Sequence, residues 1–142
     1  MDRSWLCGFI NKQRYGVVSS IGEAGSPQSA LVGIACSAEL AIIFDTLNSS
    51  RKYRNLLRRP KCSLVVGWSG EQTLQIEGTV EVPAVYNLKP FQDVYFAHWP
   101  DGRERSKWPS IAYCVIRPEW LRYSDFDQSP PFIQEMTRSD LV

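Results

Sequence analysis

The sequence predicts a mainly β protein in which short antiparallel strands form a small barrel with a few capping helices. Three observations lead to this fold class. The chain has 142 residues, of which 44% are hydrophobic and 22% charged, as in a single globular domain. Short β-branched and apolar runs follow one another at hairpin spacing, and only three segments have a helical pattern. Three helices are too few to connect every pair of strands, so an antiparallel barrel is favoured over a βαβ sheet.

The first sixty residues are predicted to contain two helices and three strands. A short amphipathic helix covers residues 2–12, and strands follow over 15–20, 28–35 and 39–44, with a turn over 22–27. The third strand contains the continuous apolar run Leu40–Phe44, which is typical of a strand buried on both faces. A second helix over residues 49–58 should end before Pro60, because the residue before a proline avoids the α region.

The remaining residues are predicted to form two further strand pairs, one helix and a tail. The strands cover residues 62–68, 73–82, 110–117 and 120–124, and a helix over 83–96 is expected to break at Pro90. A polar loop runs through residues 99–102. We therefore expect one domain over residues 1–126, followed by a C-terminal tail over 127–142 that forms a surface arm or docks on a second subunit.

Composition and the cysteine pattern limit the functional classes. The 5 Trp, 6 Tyr and 6 Phe exclude a disordered chain, and the net charge of +1 argues against a dedicated nucleic-acid binder. The first residues include an early acid and no apolar run of signal-peptide length, so we expect a cytoplasmic protein without membrane contact. No C-x-x-C pair occurs and His98 is the only histidine, so we expect buried reduced thiols and no metal site.

The basic residues are concentrated in one segment of the chain. No acidic residue lies between Asp45 and Glu71, whereas six of the sixteen basic residues do: Arg51, Lys52, Arg54, Arg58, Arg59 and Lys61. The rest of the chain therefore carries ten basic against fifteen acidic residues. The near-neutral net charge is therefore the sum of one basic segment and an acidic remainder of the chain.

The order of residues around the second predicted helix indicates an anion site. Thr46, Ser49 and Ser50 precede the helix and can cap it, which places Arg51 and Lys52 in the first turn. Cations there oppose the helix dipole by about 0.3–1 kcal/mol each, unless an anion is normally bound. Free backbone N–H groups, hydroxyls and the two cations together suit a phosphate monoester. A solvated basic face is the plain alternative, and nucleic-acid binding is disfavoured because Tyr53 is the only interleaved aromatic.

The run from Ile43 to Leu64 resembles the signature of the pyridoxamine 5'-phosphate oxidase-related, FMN-binding split-barrel proteins. The resemblance rests on an apolar strand ending in Phe-x-Thr, then Ser-Arg-Lys, then Asn-Leu and a Pro before the next strand. Residues 25–32, Trp68 and the stretch Gln75–Gly78 also fall in register. The resemblance covers about residues 12–125.

This resemblance implies a six-stranded antiparallel split β-barrel that works as a homodimer, with one FMN in each of two clefts between subunits. Thr46, Ser50, Arg51 and Lys52 would hold the ribityl phosphate. The backbone of one strand would run along the isoalloxazine ring, through Gln28, Ser29, Ala30, Leu31 and Val32. Thr73 lies where the family often has a Gln toward the flavin, with Gln72 as a substitute. Trp108 and Ser110 would close the cleft from the other subunit.

Two departures from the family concern the substrate. Trp99 stands where the true oxidases place an Arg on the substrate phosphate, and the C-terminal Arg-Leu-x-x-Arg segment is replaced by Trp120–Tyr123 and the tail. Arg103 and Arg105 either take over anion binding or lie in a solvated loop. Tyr95 and His98 are the nearby proton-transfer candidates, and no catalytic residue is assigned.

The functional expectation is an FMN-dependent oxidoreductase with a small-molecule substrate and no nucleic-acid partner. Two alternatives keep the same barrel. One is a deazaflavin-dependent reductase, and the other is a non-catalytic protein that binds flavin or haem.

Overall fold

A computed structural model describes residues 1–141 of the chain. It contains four α-helices and eight strands among these residues. The helices are α1 (Arg3–Gln13), α2 (Arg51–Arg58), α3 (Lys89–His98) and α4 (Gly102–Arg105). The strands are β1 (Tyr15–Ile21), β2 (Pro27–Gly33), β3 (Ala35–Cys36), β4 (Ile42–Leu47), β5 (Lys61–Val66), β6 (Gln72–Glu81), β7 (Ile111–Asp125) and β8 (Phe132–Thr137).

All eight strands belong to one antiparallel sheet in the order β2-β1-β5-β6-β7-β4-β3, with β8 added to β7. The sheet curls into a barrel that is open between its first strand, β2, and the β4 side, because β2 pairs only with β1. Strand β3 has only two residues, and β8 lies off the main path, so six strands form the body of the barrel. The predicted six-stranded antiparallel split barrel is confirmed.

The core fills the inside of the curled sheet. Strand β4 is buried on both faces, as its continuous apolar run predicts, with Ile42, Ile43 and Phe44 all fully buried. One face of β4 contributes to the main core under α1, and the other packs against α3 through Tyr95 and Trp99. The four cysteines are free thiols, of which only Cys7 is partly exposed.

The predicted strands around β4 are wrong in their bounds. The backbone of Leu40 lies in the left-handed region at φ 63°, which ends any strand there, so β4 begins at Ile42 rather than at residue 39. The strand predicted over 28–35 divides at Ile34, because its partner strand β1 begins only after Arg14, whose backbone lies at φ 69°, and β3 then pairs with β4. Strand β4 also extends to Leu47, past its predicted end at residue 44, so Asp45 and Thr46 lie inside a strand.

The helix predicted over residues 83–96 is also wrong in its start. A short 3-10 turn spans Val85–Asn87, and α3 begins at Lys89 with Pro90 in its first turn. Proline is tolerated there because the first N–H groups of a helix have no internal partner. Pro90 therefore starts a helix instead of breaking one.

None of the helices described is long and apolar enough to cross a membrane.

The two last predicted strands are in fact one continuous strand, β7, which pairs with β6, β4 and β8. Pro118 sits opposite Gly78, where the register of the β6–β7 pair shifts. A proline lacks the N–H needed for a regular ladder, and such irregularities accommodate it. Gly78 is required because a Cβ there would come 2.5 Å from the carbonyl oxygen of Arg117.

Part of the predicted tail joins the sheet. Strand β8 pairs with residues 120–125 of β7, and Met136 within it is buried. Residues 132–137 therefore pack on their own chain. Docking of the tail on a second subunit stays a prediction.

Candidate functional site

The start of α2 carries a pair of hydroxyls. Ser50 is the N-cap, and its Oγ accepts a hydrogen bond from the N–H of Tyr53 at 3.2 Å. The same oxygen lies 3.0 Å from Oγ1 of Thr46 at the end of β4. No acidic residue lies in the first turn of the helix, where Arg51 and Lys52 stand. The structure thus brings Thr46, Ser50 and two cations to one helix N-terminus, as the sequence pattern predicts.

Arg51 and Lys52 have different surroundings. The side chain of Arg51 lines a groove beside the turn between β1 and β2. Burial and the neighbouring Cys62 raise the pKa of the Cys114 thiol to about 12, and the Lys52 charge lowers it.

The groove beside α2 has a volume of about 390 Å³. One wall is formed by one face of the helix, since Arg51, Arg54 and Arg58 are three and four residues apart. The other wall is the β1–β2 turn, which includes the carboxylate of Glu23. Within residues 1–141, none of these three arginines has a carboxylate oxygen within 4.0 Å. The groove therefore contains three arginines and one carboxylate, with no ion pair between them among the residues described.

Asn55 fixes the floor of this groove. Its buried amide donates hydrogen bonds to Ser20 Oγ at 3.1 Å and to Gln28 Oε1 at 2.7 Å. Its Oδ1 accepts a hydrogen bond from Arg58 Nη2 at 3.0 Å. One buried amide thus connects α2 to β1 and β2 and orients both Gln28 and Arg58.

Strand β2 presents an open edge to the same region. It pairs with β1 along Pro27–Gly33, and no other described strand pairs with it. Alternate backbone N–H and C=O groups between Gln28 and Val32 are therefore open to a ligand. The side chains of β2 also alternate in exposure, since Leu31 is 62% exposed whereas Val32 is buried.

Helix α3 closes part of the gap between β2 and β4. The hydroxyl of Tyr95 donates to Asp45 Oδ1 at 3.1 Å and lies 3.4 Å from the carbonyl oxygen of Gly33. Asp45 Oδ2 also accepts from Arg105 Nε at 2.8 Å. Burial, with the neighbouring Asp45 charge, raises the pKa of Tyr95 well above its usual range. Tyr95 is therefore a neutral hydrogen-bond donor that joins the two sides of the barrel opening.

Trp108 lies at the other side of α2. It is half exposed and lines a cavity of about 350 Å³ together with Tyr53 of the helix and Tyr113 of β7. Its indole is thus near α2 of its own chain, whereas the family resemblance expects it to act from a second subunit.

Two sequence-predicted residues are not brought to this region within one chain. Gln72 and Thr73 pair with the far end of β7, at Asp125 and Ser124, whereas Thr46 pairs with its beginning at Ala112. Gln72 Oε1 accepts a hydrogen bond from Tyr123 at 3.1 Å.

Trp99 and the arginines after it have structural contacts. The Trp99 Nε1 donates to Ile34 O at 2.9 Å, and the Arg14 guanidinium lies 4.2 Å from the ring centre. Arg105 is bound to Asp45, and Arg103 lies over the ring of Phe96. None of these three residues is placed to bind a ligand anion in the groove.

The groove residues Arg54, Asn55 and Arg58 were not among the predicted site residues. The signal for them is present in the sequence, because they stand three, four and seven residues after Arg51 and therefore share a helix face. The sequence does not predict the opposite wall of the groove, which is formed by the β1–β2 turn about thirty residues earlier.

An antiparallel barrel that is left open beside one strand, with a cationic helix N-terminus at the opening, defines the split-barrel class of proteins. The sequence profile of the pyridoxamine 5'-phosphate oxidase family matches residues 7–125. The chain belongs to this family.

Curated relatives share part of their length with this chain. The pyridoxine/pyridoxamine 5'-phosphate oxidase of Burkholderia thailandensis is 32% identical over 105 residues, which are 73% of this chain and 47% of the relative. The chain thus spans about half the length of the curated relatives that it matches.

Solved structures share the fold at low sequence identity. A haem-binding protein from Mycobacterium smegmatis has a TM-score of 0.82 at 14% identity, covering 99% of this chain and 60% of the other. A pyridoxamine 5'-phosphate oxidase-related, FMN-binding protein from Nostoc punctiforme has a TM-score of 0.73 at 12% identity, covering 96% of this chain and 89% of the other. These similarities establish the split barrel as the shared fold.

Proposed function

We propose that the protein is an FMN-dependent oxidoreductase whose flavin phosphate binds at the start of α2. The observation that carries the proposal is the placement of Arg51 and Lys52 in the first turn of a helix capped by Ser50, without an acidic residue in that turn. A bound phosphate removes the unfavourable interaction of these cations with the helix dipole. The Thr46 hydroxyl, 3.0 Å from that of Ser50, adds a further partner for the phosphate oxygens.

The open edge of β2 is the proposed seat of the flavin ring. A flavin has a row of ring nitrogens and carbonyl oxygens that can hydrogen-bond to the exposed backbone between Gln28 and Val32. When bound, the flavin supplies the hydride chemistry, and the chain supplies position and electrostatics. Tyr95 donates to Asp45 of β4 and lies beside Gly33 of β2, so its side chain fills part of the opening between the two strands.

The site is completed by a second subunit in this proposal. Gln72 and Thr73 lie at the far end of β7 from Thr46, so they could reach a flavin bound there only from a partner chain. The outer face of β2, β1 and β5 offers a surface for that partner, because Leu31, Val17 and Val65 form one cross-strand row.

The substrate is expected to differ from that of the vitamin-phosphate oxidases. Trp99 stands where those enzymes place a phosphate-binding Arg, and its Nε1 is used by the carbonyl of Ile34. It therefore offers neither a charge nor a free donor to a substrate phosphate.

Replacing both cations tests the flavin assignment. In Arg51→Ala/Lys52→Ala we expect FMN affinity to fall about a hundredfold or more, because each charge-assisted hydrogen bond contributes about 1.5–3 kcal/mol. Quenching of flavin fluorescence on titration of the apoprotein measures the affinity, and circular dichroism checks the fold.

The charge-matched control is Lys12→Ala/Lys89→Ala, which removes two exposed helical lysines elsewhere on the molecule. It should bind FMN as the native protein does. Equal FMN affinity in both double variants contradicts the proposal. A haem Soret band in the purified protein, without flavin absorbance, favours the non-catalytic alternative.

A further inference from the structure

The arginine groove beside α2 is larger and more cationic than one phosphate monoester requires. Arg51, Arg54 and Arg58 stand on one helix face over seven residues, or about 10 Å of helix. The groove volume of about 390 Å³ lies within the range of small-molecule sites, roughly 300–1,000 Å³. A phosphate at the helix N-terminus can contact Arg51, while Arg54 and Arg58 lie beyond it along the groove.

The charges in the groove are unbalanced, because three arginines share it with one carboxylate, that of Glu23. Arg105, Arg117 and Arg122 each pair with a carboxylate at 2.7–3.4 Å. In the part of the chain that the structure describes, Arg54 has no hydrogen bond from its side chain, and Arg58 contacts only the neutral Asn55. Like charges three to four residues apart destabilise a helix, so this face is unfavourable until an anion occupies the groove.

The groove is also preformed. Asn55 is buried and fixes Arg58 on one wall, as its hydrogen bonds show. On the opposite wall, Arg59 Nη1 donates to Gly22 O at 2.9 Å, which ties the β1–β2 turn to the end of α2. A ligand therefore meets arginines whose surroundings are already ordered, which lowers the entropy lost on binding.

We propose that this groove binds a second phosphate group next to the flavin phosphate. The proposal rests on the function proposed above, because Arg51 is the point at which the two anion sites meet. The second phosphate comes either from the pyrophosphate of a flavin dinucleotide or from a separate diphosphate ligand. Arg54 and Arg58 bind it in both cases.

The test uses Arg54→Gln/Arg58→Gln, which removes two charges while keeping polar side chains of good helix propensity. FAD and FMN are titrated into the apoprotein by flavin fluorescence, and inorganic pyrophosphate is titrated by calorimetry into the apoprotein and the FMN-loaded protein. If the dinucleotide is the source, the variant loses about tenfold to a hundredfold in FAD affinity and keeps its FMN affinity. If a separate ligand is the source, pyrophosphate binds to the FMN-loaded native protein, and the variant loses that binding.

Lys12→Ala/Lys89→Ala again serves as the charge-matched control and should behave as the native protein. The proposal is overturned if the arginine variant binds both FAD and pyrophosphate as the native protein does, or if neither probe binds the native protein. Failure of the native protein to bind FMN overturns the function proposed above instead. Titration of pyrophosphate into the apoprotein then still tests whether Arg54 and Arg58 bind a phosphate group.

Discussion

Asp45 joins three parts of the molecule that are distant in sequence. Its carboxylate accepts from Tyr95 of α3 at 3.1 Å and from Arg105 at the end of α4 at 2.8 Å. Arg105 in turn reaches Asp101 with Nη1 at 2.7 Å. The Asp45 and Arg105 side chains are only 13% and 23% exposed, so solvent screens the pair weakly. This network holds α3 and α4 at the barrel opening.

The variant Asp45→Asn tests the contribution of this charge. It keeps the shape of the side chain but leaves Arg105 partly buried with the exposed Asp101 as its only carboxylate. We expect the free energy of unfolding to fall by about 1–3 kcal/mol. Urea denaturation followed by circular dichroism measures the change.

Glu104→Gln is the control, because Glu104 is 79% exposed and its pair with Lys107 lies on the surface. It should change stability by less than about 0.5 kcal/mol. A similar small change for Asp45→Asn would mean that the network does not stabilise the fold.

Which residues could be identified from the sequence depends on how local their interactions are. The Ser50 cap acts over three residues, so its hydroxyl and the cations after it were predictable. The residues that donate hydrogen bonds to Asp45 lie fifty and sixty positions further along the chain, and no sequence spacing predicts such pairs. The hydrogen bond from the Trp99 indole to Ile34 O was not predictable either, because only the folded barrel brings these two segments together.

Strand β8 is the element that the sequence pattern missed. It follows Pro130 and Pro131, and its apolar residues Phe132 and Ile133 are adjacent instead of alternating. The strand forms because β7 extends past its pairing with β4 and leaves an edge for it to join. Met136 then packs in the main core, which also contains the buried Leu141. The bounds of β4 shifted for a different reason, the left-handed backbone of Leu40.

Truncating Met136 to alanine tests whether β8 contributes to the core. The side chain is 6% exposed, and a buried Met→Ala change costs about 2–5 kcal/mol. We expect a loss near the lower end, about 2–3 kcal/mol, because an edge strand can relax. Ile133→Ala on the same strand is the control, since Ile133 is 44% exposed. Equal effects of the two variants in urea denaturation would contradict a core role for β8.

The whole molecule has one outer sheet face with an apolar row. Leu31 of β2 and Val65 of β5 both lie opposite Val17 of the strand between them. Leu31 is 62% and Val65 37% exposed in the single chain. The strand content and the family resemblance were enough to predict the barrel, whereas pairing of two chains leaves no periodic signal in one sequence. The apolar row is the structural basis for the proposed homodimer.

Leu31→Arg tests this pairing. A charge placed in an apolar interface loses its hydration without a partner, so we expect the variant to be monomeric while the native protein sediments at twice the chain mass. Sedimentation velocity measures both. Val85→Arg, at a residue that is 89% exposed near α3, should leave the assembly unchanged. A native monomer, or a Leu31→Arg dimer, contradicts the proposed interface.

The open edge of β2 has a cost for the protein before any ligand binds. An edge with unused N–H and C=O groups is a template for strand addition by another chain, and natural sheets usually protect such edges with lysine, proline or a bulge. Pro27 stands only at the start of β2, and Pro27–Gly33 contains no charged residue. In the proposed function, an FMN that lies along this edge would also block strand addition, so the solubility of the protein would depend on the supply of FMN.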